Sequence, residues 1–135
     1  MVVTLTHRLG PLGLFAHPAL AKESPEGVSG NYLFLDLIAS LKWVRDNIEA
    51  FGGDPDNVTI FGESGGGAKM AIMLSPLTKG LFQRAICESG TVLAILESKS
   101  LTNPEASRIG MCEKLSIDSS DAPLISYQRA IVCLS

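Results

Sequence analysis

Val58-Thr59-Ile60-Phe61-Gly62-Glu63-Ser64-Gly65-Gly66-Gly67 runs from a short apolar stretch directly into a glycine-rich bend. Val58 to Phe61 is β-branched and aromatic and reads as a buried strand. Ala68 to Leu74 then reads as a helix, which Ser75-Pro76 ends. A second strand is expected over Arg84 to Glu88, with Ala85, Ile86 and Cys87 as its apolar middle. Strands that alternate with helices pair in parallel, because the helix carries the chain back across the sheet. The fold class is therefore α/β.

Inside the bend, Gly62-Glu63-Ser64-Gly65-Gly66 has the form G-x-S-x-G between a strand and a helix, the setting in which that pattern presents a nucleophile. A serine in so sharp a turn adopts a strained backbone that lifts its hydroxyl clear of the sheet. Gly62 and Gly66 let strand and helix approach without a Cβ clash. Gly65 offers its backbone N–H at the helix start, where it can donate to an oxyanion. Two other readings compete. One is a merely structural Gly-Ser turn. The other is a phosphate loop, but Ala68 stands where its lysine belongs, Lys69 comes one residue late and Met70 occupies the hydroxyl position.

Working outward, Phe34, Leu37, Ile38, Leu41, Val44, Ile48 and Phe51 recur at helical spacing and predict one apolar helix face. Lys42, Arg45, Asp46 and Glu49 occupy the other face, with Lys42–Asp46 and Arg45–Glu49 spaced for ion pairs. Asn31 is the expected N-cap, and Gly52-Gly53 the stop. Asp54 to Asn57 predicts a turn. Residues 2 to 6 predict a further buried strand. Gly10 to Gly30, with Pro11, Pro18 and Pro25, predicts a long irregular loop. Pro104 to Leu115 and Pro123 to Leu134 are each compatible with a helix.

The chain has 135 residues, enough for one domain, with 46% hydrophobic and 19% charged residues, the balance of a globular chain. A net charge of −3 offers nothing to attract nucleic acid. No apolar run approaches the roughly 18 residues of a membrane span, and the N-terminus lacks the charged and apolar regions of a signal peptide. A cytoplasmic location is the expectation. Cys87, Cys112 and Cys133 have no metal-binding spacing, and Cys87 and Cys112 read as small buried hydrophobes. His7 and His17 are the only histidines; both precede Ser64 and read as structural or surface groups.

The run Phe51-Gly52-Gly53-Asp54-Pro55-Asp56-Asn57-Val58-Thr59-Ile60-Phe61-Gly62-Glu63-Ser64 resembles the signature of the type-B carboxylesterase/lipase family, which includes the cholinesterases. Four further blocks are similar in order and spacing: Val2-Val3-Thr4 with Arg8-Leu9-Gly10, Gly30-Asn31-Tyr32 with Leu35-Asp36, Leu41-Lys42-Trp43-Val44, and Gly80-Leu81-Phe82 with Ser89-Gly90. The resemblance is strongest over residues 1–95. It implies an α/β-hydrolase fold, here partial: central parallel strands, the nucleophile elbow and flanking helices. It implies a serine hydrolase acting on a small-molecule carboxylic ester through an acyl-enzyme on Ser64, with no metal or organic cofactor. Gly65 would supply an oxyanion N–H, Glu63 would support the nucleophile as a hydrogen-bonding carboxylate, and Ser89 resembles a buried serine in the family's polar network behind the triad. Arg8 and Asp36 resemble internal ion-pairing or hydrogen-bonding positions.

Departures accompany the resemblance. Family members usually carry Ala where Gly65 stands. The His-Gly-Gly-Gly oxyanion loop, and the acid and histidine that follow the serine in the family, have no counterpart here, so the chain reads as an internal fragment. Asp118 and Asp121 follow Ser64, but neither is assignable as the triad acid without a later histidine. A non-catalytic esterase-like binding or adhesion module is the alternative, weakened by the intact elbow. Parallel strands lacking their usual cover also predict self-association through exposed sheet edges.

Overall fold

The computed structural model of the chain describes residues 1–25, 27 and 29–90. Two compact units divide them, one formed by residues 1–7 and 34–90, the other by residues 8–33.

In the second unit, the stretch expected to be irregular folds into two short helices, α1 (Gly10–Leu14) and α2 (Pro18–Glu23). Two of the three prolines that predict a loop, Pro11 and Pro18, stand at the second position of α1 and the first of α2. There the missing N–H would have had no helical partner in any case. Leu20 and Leu33 are its buried apolar residues. Ser29 ties the loop back on itself: its hydroxyl accepts from the His17 N–H at 2.9 Å and donates to the His17 carbonyl at 2.8 Å. His17 is buried, with its ring parallel to that of Phe15 at 6.0 Å between centroids. Arg8, read as an internal position, is exposed and lies over the Tyr32 ring, 5.1 Å from its centroid.

Helix α3 (Tyr32–Asn47) is the long amphipathic helix the periodicity predicts. Leu37, Ile38, Leu41 and Ile48 are buried as expected, Phe34 and Val44 are half-buried, and Phe51 is exposed against Trp43 with ring centroids 5.8 Å apart. Asn31 enters the helix at φ 58°, not with the extended backbone of a usual N-cap. The ion pair that forms on the solvent face joins sequence neighbours, Arg45 Nε to Asp46 Oδ1 at 2.8 Å, and that guanidinium holds the Asp46 carboxyl below its ordinary range. A 3-10 turn (Ile48–Phe51) extends the helix. Gly52 closes it at φ 80°, with its N–H on Glu49 O and the Gly53 N–H on Ile48 O.

The predicted turn follows, with the Asp54 carboxylate accepting from the Asp56 N–H at 2.9 Å. Strand β1 (Thr59–Glu63), helix α4 (Gly65–Lys69) and strand β2 (Arg84–Glu88) complete the unit. The two strands are parallel, with Thr59 opposite Arg84 and Glu63 opposite Glu88. Gln83 fixes the start of the ladder, giving its N–H to Val58 O at 2.9 Å and receiving the Val58 N–H on its side-chain oxygen at 2.6 Å. Between α4 and β2, the chain tightens into 3-10 turns at Met70–Leu74 and Pro76–Thr78, divided where Ser75-Pro76 breaks the helix. Thr78 is buried and its hydroxyl donates to Ile72 O at 2.8 Å. Met70, Ile72 and Leu81 join the α3 residues as the buried apolar side chains of this unit, each contributing about 1.5–3 kcal/mol.

Two further expectations fail. Residues 2–6 form no strand, because a strand exists only where a neighbour completes its ladder, and among the described residues none pairs with them. Cys87, read as buried, is exposed: every residue of β2 is exposed, so an apolar pattern there does not report burial. Cys112, Cys133, Asp118, Asp121 and the helices expected over 104–115 and 123–134 lie outside the described residues.

Candidate active site

Strand β1 delivers Ser64 onto the end of α4 with φ 50° and ψ −115°, a backbone that side-chain-bearing residues adopt only under strain. Ser64 is exposed and its side chain caps no helix N–H. The hydroxyl is therefore presented, not spent on the local backbone. Two backbone hydrogen bonds hold the turn: the Ser64 N–H donates to Glu88 O at 2.8 Å, and Ser64 O accepts from the Ala68 N–H at 3.0 Å.

The surrounding glycines serve space, not torsion. A Cβ on Gly62 would stand 2.6 Å from the Gly66 carbonyl carbon and 2.7 Å from its oxygen, closer than real Cβ atoms come. One on Gly67 would stand 2.9 Å from Glu88 O. Neither glycine has a positive φ, so each is there to let strand and helix close on one another. Gly65 differs, since a Cβ there meets nothing within 4 Å. An alanine would fit, and the N–H at the start of α4 is in place with either residue. Glu63, the last residue of β1, is exposed beside Glu88 across the ladder.

A second turn of the same spelling lies alongside. Glu88-Ser89-Gly90 repeats Glu63-Ser64-Gly65 at the register-matched end of β2, where Ser89 takes φ 48° and is exposed, not buried as the resemblance implies, because the exposed strand β2 carries it. The sequence pattern marks Ser89 but not the clearance that Gly67 and Gly90 provide; the repeated Glu-Ser-Gly triplet is the signal that points to it. Histidines His7 and His17 fall in different units, the first with the elbow and the second among residues 8–33. Among the described residues no cluster of His, Cys, Asp and Glu could hold a metal ion, and no helix is long and apolar enough to cross a membrane.

The profile of the Carboxylesterase family matches residues 1–130. The chain is similar to the fumonisin B1 esterase of Sphingopyxis macrogoltabida, 56% identical over 90 residues, which cover 66% of this chain and 17% of that protein. It is also similar to the para-nitrobenzyl esterase of Bacillus subtilis (strain 168), 52% identical over 107 residues, 78% of this chain and 20% of the other. Among solved structures, a thermophilic PNB esterase superposes with a TM-score of 0.68 at 43% identity, over 88% of this chain and 23% of that one. The chain thus spans about a fifth of the length of these relatives. Its parallel strands and their crossover are part of an α/β-hydrolase fold. With the elbow, the parallel register and the profile in agreement, the chain belongs to the carboxylesterase family.

Proposed function

We propose that this chain carries the nucleophile of a carboxylic-ester hydrolase and that Ser64 is the acylated residue. The observation that carries the reading is the strained, exposed Ser64 at the junction of β1 and α4. The relatives' names, which include a para-nitrobenzyl esterase and a fumonisin B1 esterase, support the ester as the substrate class. The Ser64 oxygen attacks the ester carbonyl carbon while its proton passes to a general base. The tetrahedral oxygen gathers negative charge near the Gly65 N–H at the start of α4. Collapse breaks the bond to the alkoxy oxygen, which leaves protonated as the alcohol. Water then adds to the acyl carbon, and the acid departs as Ser64 regains its proton. Glu63 acts beside the nucleophile as a supporting carboxylate. Within these 135 residues the histidines available as a base are His7 and His17.

Intact mass after incubation with a fluorophosphonate tests this reading. A serine oxygen displaces fluoride, so the wild-type mass should rise by that of the reagent less HF, and Ser64→Ala should remain unlabelled. A folded wild-type chain that takes up no label would overturn the assignment. Unchanged labelling rates in both His7→Ala and His17→Ala would remove these histidines from the mechanism.

A further inference from the structure

The end of β2 touches the elbow from behind, and that contact has no counterpart in the G-x-S-x-G pattern. A Cβ built on Gly90 would collide with Ser64 O, and would stand 2.9 Å from the Ala68 nitrogen and 3.1 Å from the Gly67 carbonyl carbon. The first two are the acceptor and the donor of the hydrogen bond that closes the first turn of α4 onto Ser64. All three are backbone atoms, which cannot swing aside as a flexible side chain would. Gly90 has no positive φ, so a side chain is excluded by space alone. The residue before it does the turning: Ser89, at φ 48°, brings Gly90 against the elbow immediately after Glu88 O has accepted the Ser64 N–H. From the helix side, Gly67 meets the same strand end, its Cβ position 3.2 Å from Gly90 Cα.

We propose that Gly90 is a positioning residue for Ser64: its bare Cα lets the β2 end seat against the elbow and hold Ser64 in its strained conformation. The proposal rests on the ester-hydrolase reading for its consequence in catalysis, but not for its geometry. Gly90 touches no substrate and acts through Ser64 alone. An added methyl would drive the β2 end and the elbow apart, lengthening both hydrogen bonds of Ser64 and letting its φ relax.

The test is amide hydrogen exchange together with phosphonylation kinetics on the full 135-residue chain. In Gly90→Ala, the Ser64 and Ala68 amides should exchange at least about tenfold faster. The Gln83 amide on Val58 O and the Gly53 amide on Ile48 O should keep their wild-type protection. Gly67→Ala, whose methyl meets Glu88 O at 2.9 Å, is the milder probe of the same contact and serves if Gly90→Ala does not fold. Gly66→Ala, with nothing within 4 Å of the added atom, should speed exchange at none of the four amides. The fluorophosphonate should show an inactivation rate constant at least about tenfold lower with unchanged initial binding, a split that mere loss of folded protein does not give. Wild-type protection at Ser64 and Ala68 in a folded variant would overturn the proposal. Faster exchange of those two amides in a chain whose wild type takes no label would uphold it while overturning the ester-hydrolase reading.

Discussion

At Ser64, a single residue departs from the backbone its neighbours prefer, and glycines on either side make the departure feasible. Those glycines are not interchangeable, although the motif writes them alike. Gly62→Ala would press a methyl into the Gly66 carbonyl group, which is backbone and cannot yield. It should cost about 1–3 kcal/mol or more in urea denaturation. Gly66→Ala meets open space within a helix and should instead stabilise by about 0.5–1 kcal/mol. Equal effects of the two substitutions would refute this division of roles. The candidate nucleophile was legible in the sequence, because strand, bend and helix lie within one local run. Gly90 was not, because what excludes its side chain is Ser64, reached only through the pairing of two strands.

Among the elements, legibility followed the range of the forces involved. The break at Ser75-Pro76 emerges where it is expected because it depends on adjacent residues, and β2 takes its expected bounds because β1 completes its ladder along the whole length. Helix α3 also emerges, because its stripe of Leu37, Ile38 and Leu41 keeps helical spacing and is continued by Ile48 in the 3-10 turn that follows. The strand expected over residues 2–6 does not, since pairing is a property of two segments and not of one. The helices α1 and α2 were hidden by prolines that end a helix when internal but suit its first turn. The stop of α3 permits a separate check. Gly52 sits at φ 80° with nothing within 4 Å of a would-be Cβ, so Gly52→Ala brings a torsional penalty without a clash. It should lower stability by about 1–2 kcal/mol, seen as a shift of the urea midpoint at constant slope. No shift would mean that the turn relaxes freely.

Across the described chain, apolar surface remains uncovered around the sheet. Phe61 on β1 is 62% exposed and Ile86 on β2 is 49% exposed. The sheet has two strands, and among the described residues each pairs on one edge alone. Parallel strands are stable with both faces covered, and a free edge is a template for another strand. The 135-residue chain should therefore self-associate. Sedimentation velocity should show a weight-average coefficient that rises with concentration, and a monodisperse monomer at micromolar concentration would contradict the expectation.

Handedness gives the elbow its last consequence. Reversing the signs of the Ser64 angles, φ 50° and ψ −115°, gives −50° and 115°, near the extended conformations open to any L-residue. A D-serine would thus rest at position 64 nearly unstrained, but its hydroxymethyl group would point where the L-residue now carries its α-hydrogen. Relief of the backbone and display of the hydroxyl are mutually exclusive at this position. The chain keeps the oxygen in view only because an L-residue is held in a conformation that suits its mirror image.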